Sequence, residues 1–168
     1  EASEREAAPE GLRARFEEAV RMRLVADVPL GAFLSGGLDS SAVVGAMVRA
    51  GIPARTCTVL LPGSPLDESG WARAVAERFG TDHREVPVGG EVAGRIWAAL
   101  AALDQPSFDG INTFLVARAA KEAGLTVALS GLGGDELFGG YRFLRHARWL
   151  GRALASLGPT RGPLSIVS

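Results

Sequence analysis

An apolar run at residues 30–34 stops at Ser35-Gly36-Gly37 and passes, through Leu38-Asp39-Ser40-Ser41, into an apolar helical run at residues 42–48. A strand that ends on two glycines and re-enters a helix admits few folds. It gathers several backbone N–H groups and the positive end of a helix dipole at one point, which makes an anion site out of the chain itself. Gly36 and Gly37 remove side chains that would block a phosphate and permit positive φ. Ser35, Ser40 and Ser41 add hydroxyls, and Asp39 supplies a carboxylate able to hold Mg²⁺ against the same phosphates. A plain tight turn accounts for Ser35-Gly36-Gly37 equally well, but it leaves Asp39-Ser40-Ser41 unexplained. The segment therefore points to a nucleotide.

Two commoner nucleotide loops are excluded. A Walker A loop needs a lysine after its last glycine, and the single lysine here, Lys121, lies outside any such pattern. Gly131-Leu132-Gly133 begins a dinucleotide fingerprint, but Glu136 stands where the third glycine belongs.

The rest of the chain alternates strands and helices. Leu12, Phe16, Val20 and Leu24 are spaced for a helix over residues 9–25. A strand over 31–34, the loop, and a helix to Ala50 closed by Gly51 follow. Residues 54–61 read as a second strand, and Asp67 as the N-cap of a helix running to Phe79 and stopped by Gly80. A third, outer strand is expected over 83–88 and a helix around 91–103. A polar segment over 104–112 then leads to a helix over 113–123, and a short buried strand over 126–129 closes the series. This alternation predicts an α/β fold, a parallel open sheet sandwiched by helices.

Composition sets limits without choosing a function. The 168 residues are long enough for one real core, and a net charge of −1 gives no reason to expect nucleic acid or an anionic membrane as partner. The one cysteine, Cys57, sits in an apolar strand and reads as a small buried hydrophobe in a reducing, cytoplasmic setting. The chain opens on a charged segment without a methionine, and so reads as a piece of a longer polypeptide.

A second motif, Ser130-Gly-Leu-Gly-Gly-Asp-Glu-Leu-Phe-Gly-Gly-Tyr141, repeats the logic of the first at the end of another strand. Ligands of open α/β sheets bind at the carboxyl ends of the strands, so two such loops can face one ligand. Asp135 is the natural partner of Asp39 for Mg²⁺, although Asp135-Glu136 also suits helix capping. Leu137, Phe138 and Tyr141 are expected in the core.

Together the two motifs resemble the synthetase domain of glutamine-dependent asparagine synthetases, a branch of the PP-loop ATP pyrophosphatases with an adenine-nucleotide alpha hydrolase-like fold. Arg23-Leu-Val-Ala-Asp-Val-Pro-Leu-Gly-Ala-Phe-Leu34 and Ala74-Val-Ala-Glu-Arg-Phe-Gly-Thr-Asp-His83 share the likeness, which covers residues 12–145. It implies a linker over 1–11 from an amino-terminal glutaminase domain, a synthetase domain over 12–157 that is incomplete at its carboxyl end, and a loose tail over 158–168. It also implies an amide-forming ligase. ATP and Mg²⁺ bind, a carboxylate (aspartate in the family) becomes an acyl-adenylate as pyrophosphate leaves, and glutamine-derived ammonia attacks. Ser35, Gly36, Gly37, Asp39 and Ser40 would then hold the pyrophosphate, and Asp39 and Asp135 the metal. Leu34, Val59 and Gly131 would line the AMP site, though any central strand needs a residue like Val59. A homodimer is a candidate assembly.

Three departures qualify the carry-over. Leu132 stands where asparagine synthetases usually carry an acid, and a leucine can neither take a proton nor polarise an amine. The segment 103–114 differs from the family near the amino-acid substrate. There Asp104, Asp109, Asn112 and Thr113 can bind a substrate amine or carboxylate, or equally cap the loop. The family's essential lysine lies further downstream than this chain reaches, so no catalytic residue is assigned and the isolated fragment is expected to be inactive. His83 and His146 read as structural or surface residues. Two other readings remain open: an adenylating cyclase of the β-lactam synthetase or lasso-peptide type, and a non-catalytic ATP-binding module, against which Asp39 and Asp135 both speak.

Overall fold

The computed structural model describes residues 9–87, 92–105, 107 and 109–141. Residues 1–8 of the expected linker, His146 and the expected tail over 158–168 lie outside the described residues. The described part falls into two compact units that divide after Gly131.

In the first unit, β1 (Leu30–Phe33), β2 (Arg55–Leu60), β3 (Asp82–Pro87) and β4 (Val127–Leu129) form one sheet in the order β3-β2-β1-β4, and every pairing is parallel. β3 is an edge strand, as its alternating polar sequence requires. Its helices are α1 (Pro9–Arg21), α2 (Leu38–Arg49), α3 (Ser69–Phe79), α4 (Val92–Ala102) and α5 (Gly110–Glu122). The sheet is covered on both faces because its strands alternate. Ala32 and Leu34 join Val43, Val44 and Met47 of α2 and Ala72 and Ala76 of α3 on one face. Cys57 and Val86 join Ala119 and Ala120 of α5 and Ala123 at its C-cap on the other. Cys57 is buried, and burial pushes its thiol up to about 11, so it stays a protonated packing residue.

Several boundaries move from the sequence reading. α1 ends at Arg21 rather than residue 25, because Arg23 N–H and Leu24 N–H reach back three residues, to the carbonyls of Val20 and Arg21, in a tightened last turn. Leu24 still packs on the core from that turn, which is why the helical spacing continues past the helix. α3 starts at Ser69, and Asp67 serves it from one position further out than an N-cap: its Oδ1 accepts from the N–H groups of Ser69 (3.1 Å) and Leu61 (3.4 Å). Gly80 closes α3 in the left-handed region, as expected. α5 begins at Gly110, three residues earlier than its spacing suggested, with Leu103 lying over Gly110.

The order β3-β2-β1-β4 has one reversal. The chain moves outward from β1 to β2 to β3, then returns to the far side of β1 for β4. The carboxyl ends of β1 and β4, from which residues 34–37 and 130–131 emerge, therefore flank the switch point where such sheets bind ligands.

Candidate functional site

The site grows from the strand–helix junction at the end of β1. Gly37 is the N-cap of α2, with φ −67° and ψ 164°, and the first bond of the helix runs from Ser41 N–H to Gly37 C=O at 3.0 Å. The N–H groups of Leu38, Asp39 and Ser40 thus have no acceptor within the helix, and they point out of its positive end. Ser35 and Ser40 clasp the turn from within. Their hydroxyls lie 3.0 Å apart, Ser40 Oγ donates to Gly37 C=O at 3.2 Å, and Ser35 Oγ accepts from Gly37 N–H at 3.2 Å.

Gly36 has φ +82°, and a Cβ there would meet the carbonyl carbon and Cβ of Trp71 at 2.5 Å and Ala72 N at 2.7 Å. The glycine is required by the backbone of α3. A Cβ on Gly37 would meet only Ser35 Oγ, at 3.3 Å. The two glycines are therefore unequal, which their adjacency in sequence does not reveal.

Gly131, just past β4, completes the arrangement within this unit. A Cβ on it would lie 2.7 Å from Ser40 N and 2.8 Å from the carbonyl carbon of Asp39. The structure thus brings Leu34, Ser35, Gly36, Gly37, Asp39, Ser40 and Gly131 together around the start of α2. Val59 is placed differently: it packs in the cluster under α5 with Phe33, while Leu34 lies in the cluster under α2, so the two project from opposite faces of the sheet.

The donor set suits a polyphosphate, with uncommitted N–H groups at a helix start and a floor of glycine backbone. Among the described residues no three His, Cys, Asp or Glu side chains come together. Magnesium commonly takes only one or two carboxylates beside phosphate oxygens and waters, so single carboxylates such as Asp39 meet its needs.

The four residues of the segment before and within α5 are all exposed. Asp109, at the N-cap position, binds its own neighbours: Oδ1 accepts from Asn112 Nδ2 at 3.1 Å and Oδ2 from Thr113 Oγ1 at 3.4 Å. Asp104 lies just beyond the end of α4.

In the second unit, Gly133 has φ +96° and opens α6 (Gly134–Phe138), a single turn bearing Asp135 and Glu136. Leu137 and Phe138 are 80% and 58% exposed and Tyr141 is 38% exposed, so the expectation that they fill the core is corrected. One helical turn of five residues presents these groups outward, and Tyr141 uses its hydroxyl to donate to Glu136 Oε1. That bond holds the Glu136 carboxyl below its usual range and raises the Tyr141 phenol. Leu132 is 85% exposed. In the first unit, His83 is half-buried on β3, with Nδ1 2.9 Å from Thr56 Oγ1, a structural position as expected.

The chain matches the family described as Asparagine synthase over residues 11–165. It is 36% identical over 156 residues to a Gibberella zeae protein named amidase chry2, covering 81% of this chain and 23% of that protein. It is 37% identical over 154 residues to the glutamine-hydrolyzing asparagine synthetase of Brassica oleracea, covering 83% of this chain and 26% of that one. The chain thus spans about a quarter of the length of these curated relatives. The NH3-dependent NAD synthetase of Campylobacter jejuni is similar with a TM-score of 0.46 and 13% identity, over 72% of this chain and 54% of that one, a likeness too distant to add to the assignment.

Proposed function

The chain belongs to the asparagine synthase family, and we propose that it is the ATP-using portion of a carbon–nitrogen ligase that activates a carboxylate as its adenylate. The observation that carries the proposal is the β1–α2 junction, where three helix-start N–H groups without a helical acceptor and the half-buried Asp39 lie beside Gly131 at the switch point of the sheet. In the proposed reaction a carboxylate oxygen of the substrate bonds to the α-phosphorus of ATP, and the bond to the β-phosphate bridge breaks. Pyrophosphate leaves with the electron pair. An amine nitrogen then attacks the acyl carbon, AMP leaves, and the amine loses a proton.

The residues have separate tasks. The N–H groups of residues 38–40 and the Ser35–Ser40 clasp hold the pyrophosphate portion, so charge growing on the leaving group meets donors already in place. Leu34, Val59 and Gly131 are proposed for the AMP portion. Asp39 and Asp135 are the carboxylates proposed for Mg²⁺, which when bound neutralises phosphate charge. Asp104, Asp109, Asn112 and Thr113 are the residues proposed for the substrate, with aspartate as the first carboxylate to test. Ammonia is proposed to come from a glutaminase domain of the same polypeptide, and a homodimer and a cytoplasmic setting complete the proposal. The buried free Cys57 is compatible with that setting, and no described helix is long and apolar enough to cross a membrane.

Leu132 favours a second reading. A leucine cannot assist an incoming ammonia, so an internal amine of the substrate, as in an adenylating cyclase, or another carboxylate–amine pair is the alternative. Product analysis of the full-length protein with Mg·ATP, glutamine and aspartate separates the two. AMP, pyrophosphate and asparagine together are the expected outcome. AMP and pyrophosphate without asparagine would move the assignment to a different substrate or amine. No nucleotide turnover and no Mg·ATP binding would remove the proposal.

A further inference from the structure

The seam between α3 and β3 holds a half-buried imidazole whose two nitrogens have unequal surroundings. His83 Nδ1 lies 2.9 Å from Thr56 Oγ1, and that hydroxyl lies 2.9 Å from Thr81 Oγ1, so β2, β3 and the α3–β3 connection share one chain of hydrogen bonds. His83 Nε2 is enclosed and has no hydrogen-bond partner among the described residues. An enclosed N–H without an acceptor is costlier than a bare acceptor, which assigns the proton of the neutral ring to Nδ1. Nδ1 then donates to Thr56, and Thr56 donates to Thr81.

A groove of about 450 Å³ runs beside the seam and is bordered by His83, Thr81 and the charged Arg73, Glu77 and Glu85. On this face β2 carries Thr56, Thr58 and Leu60, none of them charged. Arg73 of α3 gives its Nε–H and an Nη2–H to the two oxygens of Glu85 on β3, at 2.9 Å each, and this fork ties the helix to the strand. The groove brings solvent to the ring. A proton taken up there must go to Nε2, since Nδ1 already has one. The imidazolium then buries a charge and an N–H with no acceptor. Glu85 can serve that N–H only by leaving Arg73, which undoes the fork. The same α3 supplies the backbone of Trp71 and Ala72 against which Gly36 is packed.

We infer that His83 is a proton-operated latch between β3 and α3. Neutral, it closes the seam; protonated, it loosens α3 and with it the floor of the β1–α2 turn. Burial is the main cause that holds the ring below the ordinary histidine range, Glu85 opposes it, and Arg73 adds to it. The stability tied to the neutral ring is therefore full above the unfolded value near ~6.5. It is lost as pH falls from there toward the lowered folded value.

The test is amide hydrogen exchange on the full-length protein, read by mass spectrometry and divided by the intrinsic rate at each pH. Between about pH 7.5 and about pH 5.5, protection over residues 69–87 should fall ~3- to 10-fold, ~10-fold being the ceiling for one proton over the one unit below ~6.5. Residues 34–41 should follow, and α5 on the opposite face of the sheet should hold. His83→Asn keeps a donor near the Nδ1 position and cannot be protonated, so the fall should vanish in that variant. Opening is read without nucleotide, so the outcome is independent of what the turn binds.

A wild-type fall that sets in only below about pH 5, where carboxylates begin to take up protons, would overturn the latch; this profile decides alone if His83→Asn does not fold. An equal fall in His83→Asn, or an equal fall in α5, would overturn it too. Loss of protection over 69–87 with 34–41 unchanged would overturn the link from α3 to the turn.

Discussion

The two glycine-rich turns look alike as strings and differ in what their glycines make room for. Gly36 in the first turn lies against the backbone of α3 at Trp71 and Ala72, with φ +82°. Gly140 in the second lies against the carboxylate of Asp135, and its own backbone needs no glycine. A backbone neighbour cannot yield without shifting an element, whereas a carboxylate can turn about χ1. The first glycine is therefore a folding residue, and the second leaves room for an exposed carboxylate without holding up the fold. Repetition of a motif in a sequence does not imply repetition of its energetics.

The largest effect expected is at Asp39, the part of the first turn that should behave like the second. Its carboxylate is proposed for the metal, and its structural contribution is limited to a favourable charge in the first turn of α2, ~0.3–1 kcal/mol. Asp39→Ala in the full-length protein should lower Mg·ATP-dependent pyrophosphate release ~100-fold or more while the melting temperature hardly moves. Unchanged release would remove the metal assignment for this residue. A large fall in melting temperature would mean that the whole first turn is structural.

Gly36→Ala comes next and acts on the fold. It combines an unfavourable left-handed alanine, ~1–2 kcal/mol, with overpacking against α3, ~1–3 kcal/mol, so a loss of ~3 kcal/mol of stability is expected by chemical denaturation. Gly37→Ala is the matched control. Its added methyl meets only Ser35 Oγ at 3.3 Å, in a backbone conformation open to any residue, so its cost should be well under half as large. Equal stability losses at 36 and 37 would break the comparison, because the contact with α3 would then count for nothing.

How much of this was legible in the sequence follows from the range of each interaction. The parallel α/β sheet was readable from local alternation, and the strand–turn–helix at residues 34–41 from its glycines and apolar flanks. The inequality of Gly36 and Gly37 was not, because it depends on α3, more than thirty residues later in the chain. Asp109-Gly110 reads as a turn and instead opens α5, with Asn112 and Thr113 bound to the Asp109 carboxylate in the first helical turn. The apolar character of Leu137 and Phe138 suggested burial, yet a one-turn helix leaves both exposed. The switch point needed the order of strands in space, which periodicity does not contain.

The smallest effect separates the turns by their response to pH. The first is clasped by two serine hydroxyls, which do not titrate between acid and mildly alkaline pH. The second is tied by Tyr141 donating to Glu136, and both partners titrate. Hydrogen bonding from Tyr141 is the leading cause that lowers the Glu136 carboxyl, so the stability it contributes is present above the unfolded value near ~4.3 and is lost as pH falls through the lowered folded value. The same bond is the leading cause that raises the Tyr141 phenol, so its contribution is present below ~10 and is lost as pH rises through the raised value. Both groups are solvent-exposed, and the effect should be small and confined to the second turn. Subtracting the near-ultraviolet titration of Tyr141→Phe from that of the wild type isolates this phenol. It should ionise above the ordinary tyrosine range, and Glu136→Gln should bring it back toward that range, with Asp135 holding it slightly up. A Tyr141 that ionises at the ordinary value in the wild type would mean that its bond to Glu136 does not tie the second turn.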